Sequence, residues 1–286
     1  MNQGGIVISK CFHRRVIVCG LALIAPLGLG ALSSQRAGAQ TIAEIKQRGI
    51  VRIGVLSELP PWGFLDGSGK PAGYDVDVGE LLAKKMGVKA EFVGMTVAAR
   101  IAQVMTGKVD MLLATMGMYP ERAKVVQFTE PYAGMKIILL AKKGQMIERL
   151  EDAAALRIGV VRGGAQDIAI TKGLPKSADI RRFDDDSAVI QALITGQVQA
   201  IGANTTYMMN LNKIFPNNEF EQKLVFNEQW MGIATKPGQK DLNVWLNTLI
   251  DEIRASGELA AVNKKWIDQP LPEFPTKIEG VPFTVQ

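Results

Sequence analysis

The residues best suited to chemistry lie in the run 114–122, which reads ATMGMYPER. A strand is predicted to end at its first residue, Gly117 permits close backbone approach, and Pro120 is typical of a helix start. Arg122 then lies in the first helical turn, near free backbone amides and the Thr115 hydroxyl. A guanidinium has two parallel donors that match the two oxygens of a carboxylate. The run therefore predicts a carboxylate-binding site, and a surface ion pair is the alternative for Arg122.

A second loop of interest, residues 160–166 (VVRGGAQ), runs from a predicted strand through two glycines into a predicted helix. Such a loop presents backbone N–H groups at a helix N-terminus, and this arrangement favours an anion. The Lys-Ser/Thr ending of a phosphate loop is missing, so nucleotide binding is not indicated. A turn that simply reverses the chain is the alternative.

Three consecutive aspartates at 184–186 look like a metal-binding cluster. They directly precede a predicted helix at 187–195, however, and Asp is a preferred residue at a helix N-terminus. Capping is therefore favoured over metal binding. Neither a metal nor a cofactor is predicted anywhere in the chain.

The N-terminal residues predict export. Lys10, Arg14 and Arg15 precede an uncharged apolar run at 16–32, and the small residues at 37–39 suit a cleavage site. This pattern predicts a cleaved secretory signal peptide at 1–39 and a periplasmic protein, and a membrane anchor is the alternative. The net charge of +5 falls to +1 once the four positive charges of this segment are removed. No basic patch interleaved with aromatics remains, which argues against nucleic-acid binding.

The predicted mature chain contains neither cysteine nor histidine, because Cys11, His13 and Cys19 all lie in the signal segment. Disulfides, thiolate nucleophiles, Ser-His-Asp relays and the usual zinc ligand sets are therefore excluded from it.

Short β-rich runs alternate with helical stretches along the rest of the chain. The strands are predicted at 51–56, 90–94, 111–114, 137–141, 157–161, 180–183 and 200–203. This alternation predicts an α/β fold with largely parallel sheets that are covered on both faces. Helices are expected to end near Gly87, Gly107, Gly173 and Gly196.

Residues 73–86 read GYDVDVGELLAKKM. Asp75 and Asp77 suit a helix start, and Val78, Leu81, Leu82 and Met86 continue it as an apolar stripe. The stretch closely resembles the signature of family 3 bacterial extracellular solute-binding proteins, which serve ABC importers of amino acids and related polar solutes.

The resemblance covers residues 51–266 and implies a two-lobed periplasmic binding protein fold of type II. Each lobe would be a mostly parallel sheet flanked by helices. Residues 40–136 plus 232–286 would form the first lobe and 137–231 the second, with two hinge crossovers near 136–141 and 229–232. The ligand would lie between the lobes, at the carboxyl ends of strands.

The resemblance also implies roles for particular residues. Arg122 would clamp the ligand carboxylate, aided by Thr115 and Gly117, and Ala165 would supply a backbone amide to the same carboxylate. In amino-acid binders of the family an acidic residue usually neutralises the α-ammonium where this chain has Asn204. A neutral amide cannot balance a buried positive charge, so an ordinary α-amino acid is placed in doubt.

Three further residues are candidates for the site. Arg100 matches a family position that can reach the side-chain end of the ligand, and Arg162 lies beside the second loop. If both face the cleft, they favour a second carboxylate or an organic acid without an amine. A solvated surface charge is the alternative for each arginine. Trp62 is either a platform for the ligand or an aromatic of the core or rim.

The leading hypothesis is a periplasmic receptor, with no enzymatic activity, that captures an amino acid, a dicarboxylate or another organic acid. It would act as a monomer and present its closed form to an inner-membrane ABC permease. The alternatives are a periplasmic dehydratase of a cyclic organic acid, with Glu58 or Glu228 as proton donor, and a ligand-binding sensor module.

Overall fold

The structure is a computed structural model that describes residues 42–215 and 220–285, without the side chains of Asn210, Asn212 and Lys213. The predicted signal peptide lies outside these residues. Where the chain is described, no helix is both long enough and apolar enough to cross a bilayer.

The strands are short except for two of 16 residues. They are β1 (Ile50–Leu56), β2 (Glu58–Leu59), β3 (Gly63–Leu65), β4 (Pro71–Ala72), β5 (Lys89–Met95), β6 (Met111–Leu112), β7 (Gln127–Lys142), β8 (Arg157–Val161), β9 (Asp179–Phe183), β10 (Ala200–Asn204) and β11 (Phe220–Thr235).

Helices lie between most of these strands, as the alternating sequence pattern predicts. They are α1 (Ile42–Arg48), α2 (Tyr74–Met86), α3 (Arg100–Met105), α4 (Pro120–Ala123), α5 (Leu150–Ala154), α6 (Ala165–Gly173), α7 (Asp186–Ile194), α8 (Thr205–Ile214), α9 (Lys240–Ala255) and α10 (Glu258–Ile267).

The main sheet has the strand order β5-β1-β6-β11-β7-β10-β8-β9. Pairing is parallel from β5 through β1 to β6, and again from β10 through β8 to β9. The three pairings that involve β7 and β11 at the centre are antiparallel. A separate small antiparallel sheet contains β2, β3 and β4. The fold is thus α/β, with two largely parallel groups of strands joined by a central antiparallel pair.

The two long strands connect the two groups. The predicted hinge segments 136–141 and 229–232 lie inside β7 and β11, which pair along their length with register shifts at several points. Strands β1, β5 and β6 of the predicted first lobe lie on one side of this pair, and β8, β9 and β10 of the predicted second lobe lie on the other. The lobe boundaries given above stay a prediction.

Helix α2 shows how an apolar stripe positions an element. Val78, Leu82 and Met86 are buried in the main hydrophobic core, as their spacing predicts. The helix ends at Gly87, which adopts a left-handed φ of 75° that costs glycine little. Gly107 and Gly196 also follow helices with positive φ, and α6 ends at Gly173, so all four helix ends lie where the glycines predict them.

The two acidic residues of the signature lie in the first turn of α2 but do not cap it. Asp75 instead accepts hydrogen bonds from the Thr115 amide (3.0 Å) and the Tyr132 hydroxyl (2.7 Å). Asp77 accepts one from the Trp266 indole N–H at 2.7 Å. These carboxylates therefore tie α2 to distant parts of the chain, and Asp75 ties it to the loop that begins with Thr115.

Candidate functional site

A small cavity of about 10 Å³ lies where the two groups of strands meet. Its walls include Arg100 and Thr115 from one side, and Ala165, Asp186 and Asn204 from the other. Met135 of β7 and Gln229 of β11 complete its lining from the central pair. The volume is close to what one water molecule occupies, so polar groups around it lie near one another.

Thr115 is held in a strained conformation beside this cavity. Its φ is 48°, in the left-handed region that a β-branched residue rarely adopts. The Asp75 carboxylate accepts from its amide, and its carbonyl accepts from the Arg100 Nη1 and the Gln229 Nε2, each at 3.2 Å. Strain held by several hydrogen bonds is typical of binding and catalytic sites.

Arg100 is buried at the first residue of α3. Its guanidinium donates to the carbonyls of Val97 (2.9 Å), Ala114 (2.8 Å) and Thr115. Among the residues that the structure describes, no carboxylate oxygen lies within the 4.0 Å limit of an ion pair with it. Burial, together with the nearby charge of Arg122, lowers the pKa of Arg100 to about 9, against the opposing charges of Asp186 and Asp75. The hydrogen bonds of the guanidinium go to backbone carbonyls, and the two carboxylates act on it from a greater distance.

Arg122 has the same kind of environment. It is only 5% exposed and donates to the carbonyls of Gly117 (3.1 Å) and Gly163 (2.8 Å), which links the first loop to the second. Its guanidinium carbon lies 5.2 Å from the centre of the Tyr119 ring. No described carboxylate pairs with it, and burial lowers its pKa to about 10.

Gly117 leaves room for both neighbours of the first loop. A Cβ at this position would lie 2.9 Å from the Gln229 Cδ and 3.1 Å from the Arg122 Nη1. Such distances are shorter than side chains tolerate without moving. The close approach predicted at Gly117 is therefore one between the backbone of this glycine and side chains of the protein itself.

The second loop places the N-terminus of α6 at the cavity. Ala165 is buried in the first turn of this helix, Gly164 precedes it, and both line the cavity. Amides in a first turn have no partner within their own helix, and the helix dipole favours negative charge there. The position of Ala165 is therefore compatible with donation of its amide to an anion, and that role stays a prediction.

Asn204 and Gln229 each present a buried polar atom to the cavity. The Asn204 Oδ1 accepts from the Tyr207 amide at 2.9 Å and caps α8, whereas its Nδ2 has no hydrogen-bond partner. The Gln229 Nε2 donates to Thr115, whereas its Oε1 has no partner. Buried polar atoms without partners are rare in folded proteins, and these two indicate where a ligand would bind.

Asp186 is an acidic residue of the cavity that the sequence analysis assigned to capping. Its neighbour Asp185 is the N-cap of α7 and accepts from the Ala188 amide at 2.8 Å. Asp186 itself is buried and accepts a hydrogen bond from the Tyr207 hydroxyl. Burial raises its pKa to about 6 against the opposing effects of Tyr207 and Arg100. The described residues contain no cluster of His, Cys, Asp or Glu that could hold a metal.

Four predicted site residues are not part of the cavity lining. Gly117 and Arg122 lie next to it in the first loop, as described above, and the other two lie elsewhere. Arg162 points outward, where its Nε lies 3.7 Å from Asp184 and both side chains are exposed. The indole of Trp62 is buried, packs 5.0 Å from the Tyr74 ring and donates to the Thr206 hydroxyl at 2.8 Å. Arg162 is thus the solvated charge, and Trp62 the core aromatic, that the sequence analysis gave as alternatives to a place in the site.

The sequence analysis missed Gln229 and the cavity-facing role of Asp186. The signal available for Gln229 was its place in a predicted hinge segment, where side chains lie between the lobes. For Asp186 it was the length of the acidic run, since one residue is enough to cap a helix. No pattern in the sequence distinguishes which aspartate of the run turns inward.

The chain belongs to the bacterial extracellular solute-binding proteins, family 3, whose family model matches residues 51–269. This range agrees closely with the extent of the resemblance inferred from the sequence.

Known relatives cover most of the chain. It is 26% identical over 251 residues to the L-cystine-binding protein TcyJ of Escherichia coli (strain K12), with 87% of this chain and 92% of that protein covered. Among solved structures, the solute receptor for L-cysteine of Neisseria gonorrhoeae is 31% identical with a TM-score of 0.75, covering 79% of this chain and 93% of the receptor.

A third similarity concerns the enzymatic alternative. The ancestral amino acid-binding protein AncCDT-1, a precursor of cyclohexadienyl dehydratase, is 29% identical to this chain. The TM-score is 0.73, with 79% of this chain and 98% of that protein covered. The same fold is therefore found in binding proteins and in the ancestor of an enzyme, and the site must decide between them.

Proposed function

We propose that the mature chain is the periplasmic solute-binding component of an ABC importer and binds a small carboxylate-bearing solute between its lobes. Arg122 anchors the carboxylate, and the Thr115 hydroxyl, the backbone at Gly117 and the Ala165 amide assist it. The protein acts as a monomer and presents its closed form to the permease. The family membership and the named relatives support transport as the purpose of binding.

One observation carries this proposal: the Arg122 guanidinium is buried between the two loops, bonded to Gly163 beside the cavity-lining Gly164, and no carboxylate among the described residues forms an ion pair with it. A buried charge is costly unless it is paired. The anion that completes the site must therefore come from a ligand. The N-terminus of α6 faces the same cavity from the other side and favours the same sign of charge.

The test is isothermal titration of the protein with amino acids, dicarboxylates, hydroxy acids and keto acids. The best ligand of this panel is then titrated into Arg122→Ala and Arg122→Lys. We expect Arg122→Ala to weaken binding by about 2–5 kcal/mol, because truncation leaves the ligand charge buried and unpaired. Lysine keeps the charge but loses the parallel donors, so it should restore only part of the affinity.

A matched control is Arg181→Ala, which removes an arginine of β9 that pairs with the exposed Asp179 at 3.2 Å. This variant should bind like the wild type. Equal affinities for Arg122→Ala and the wild type would remove Arg122 from the site, and binding of none of the acids would remove the proposed function.

A second candidate function is a dehydratase, which the similarity to AncCDT-1 and the position of Asp186 favour. A buried carboxyl with a pKa of about 6 is a suitable proton donor near neutral pH. Glu58 and Glu228, the donors considered from the sequence, do not line the cavity with Arg100 and Thr115. Incubation with a cyclic hydroxy acid such as prephenate, followed by product analysis, tests this function. Turnover that Asp186→Asn abolishes would support it, and tight binding without turnover would favour the receptor.

A further inference from the structure

The orientation of the Asn204 amide is determined by its neighbours. Its Oδ1 accepts from both the Tyr207 amide and the Thr206 hydroxyl. An NH₂ group could not make the first contact, because a backbone N–H only donates. The Nδ2 is therefore the end left over, and it is buried without a partner in the lining of the cavity. Asn204 can therefore donate a hydrogen bond to the ligand, but its oxygen is already used by Tyr207 and Thr206.

The Thr115 carbonyl is likewise already used. Arg100 and Gln229 both donate to it, so its two lone pairs are taken by the protein. An ammonium group on the ligand would find this acceptor occupied.

The acceptor that stays open is the Gln229 Oε1, which is buried in the same lining as the Asn204 Nδ2. A hydroxyl group both accepts and donates a hydrogen bond, so one hydroxyl can satisfy both atoms at once. An ammonium group only donates. It could turn towards Gln229 and Asp186, but it would leave the Asn204 NH₂ facing another donor, at the cost of an unpaired buried group.

We propose that this site selects an α-hydroxy acid over the α-amino acid of the same skeleton, with the α-hydroxyl held between the Asn204 Nδ2 and the Gln229 Oε1. This specificity rests on the proposed function, because Arg122 must hold the carboxylate for the neighbouring carbon to reach these two atoms. Asn204 is thus the specificity-determining residue of the site.

The experiment uses pairs of acids that differ only at the α-substituent. L-lactate is compared with L-alanine, L-malate with L-aspartate, and L-2-hydroxyglutarate with L-glutamate, each by isothermal titration of the full chain. In the pairs that bind, the hydroxy acid should bind at least about tenfold more tightly, because only it avoids an unpaired donor.

The variant Asn204→Asp should reverse this preference. Aspartate caps a helix as well as asparagine, so the N-terminus of α8 keeps its capping bond from Tyr207. Its second oxygen would replace the donor with a charged acceptor that suits an ammonium and repels a second acceptor. The amino acid of each pair should gain affinity and the hydroxy acid should lose it.

A matched control is Asn247→Asp, which makes the same substitution at a buried asparagine whose side chain contacts Glu130 and Phe283. The preference of this variant should equal that of the wild type.

Several outcomes would overturn the inference. Wild-type binding of the amino acid with equal or greater affinity would do so, and so would an unchanged preference in Asn204→Asp. If amino acids bind and Arg122→Ala abolishes their binding, the inference fails while the proposed function stands. If no acid of any pair binds the wild type, the inference fails, and titration with the wider panel of acids decides the proposed function separately. The wild-type comparison needs no variant, so it decides the matter even if Asn204→Asp does not fold.

Discussion

The two loops that meet at the cavity, 115–122 and 162–167, differ in the sign of their buried charged group and in the groups that bond to it. In the first loop the buried group is a cation, Arg122, and its partners are backbone carbonyls. In the second loop the buried group is an acid, Asp167, and the Arg182 guanidinium pairs with it at 2.9–3.0 Å. The Gly163 amide also donates to Asp167.

This difference shows which loop is suited to bind a charged group of the ligand. Asp167 already has a guanidinium and an amide, so its charge is balanced within the second loop and serves to shape it. The first loop bonds its cation to backbone carbonyls, and no described carboxylate forms an ion pair with Arg122. Both loops contain arginine and glycine. Only the partners of each buried charge show that the first loop, and not the second, is suited to bind an anion.

The largest effect that would sharpen this comparison concerns Asp75, the carboxylate that holds the first loop through the Thr115 amide. Burial raises the pKa of Asp75 to about 7, against the opposing hydrogen bonds from Tyr132 and Thr115. The ordinary pKa of an Asp carboxyl is 3.8, so between pH 3.8 and 7 the folded state keeps a proton that the unfolded state has lost. The free energy of unfolding should therefore fall as pH rises from about 4 to 7, by up to about 4 kcal/mol from this group.

Urea unfolding between pH 4 and 8 measures this slope. Asp75→Asn should flatten it, and the remaining slope should lie between pH 4 and 6, where Asp186 contributes in the same direction. Tyr132→Phe removes a hydrogen bond that lowers the pKa of Asp75, so it should extend the loss of stability to higher pH. A slope that Asp75→Asn leaves unchanged would show that this carboxylate is ionised normally.

A smaller effect is expected from Gly117→Ala, which would crowd the first loop. The added Cβ would lie 2.7 Å from the Tyr119 ring as well as close to Gln229 and Arg122. Overpacking of this kind costs about 1–3 kcal/mol of stability, and displacement of Arg122 should weaken acid binding as well.

The control for this substitution is Gly144→Ala, because a Cβ there would meet nothing within 4 Å. Its unfolding free energy should change by no more than about 0.5 kcal/mol. If urea unfolding and titration find the two variants alike, the packing around Gly117 is looser than its distances indicate.

The smallest effect is expected from Arg162→Ala in the second loop. Arg162 and its partner Asp184 have side chains that are 56% and 88% exposed. Exposed ion pairs contribute little, so stability and acid affinity should each change by less than about 0.5 kcal/mol. A tenfold loss of affinity in the same titration would return Arg162 to the ligand site and remove the contrast between the loops.

Much of the fold was predictable because it follows from local patterns. The strand at 157–161 agrees with prediction to the residue. Val78, Leu82 and Met86 of α2 are buried as predicted and Leu81 is partly buried, since burial against a sheet imposes a period that the sequence records. The small sheet of β2, β3 and β4 was missed because its strands have two or three residues, too few to show a period. The full length of β11 was missed as well, because polar residues interrupt its apolar pattern.

The sequence by itself determined the class of this protein, through its family signature and the α/β alternation, and it predicts a carboxylate site at residues 114–122. Tertiary structure decided the charges and hydrogen bonds of the site. Whether an arginine pairs with an acid or only with carbonyls, and which end of Asn204 faces the cavity, depends on groups far apart in the chain. Residue types alone do not record these partners, because a polar side chain acts according to what it is packed against.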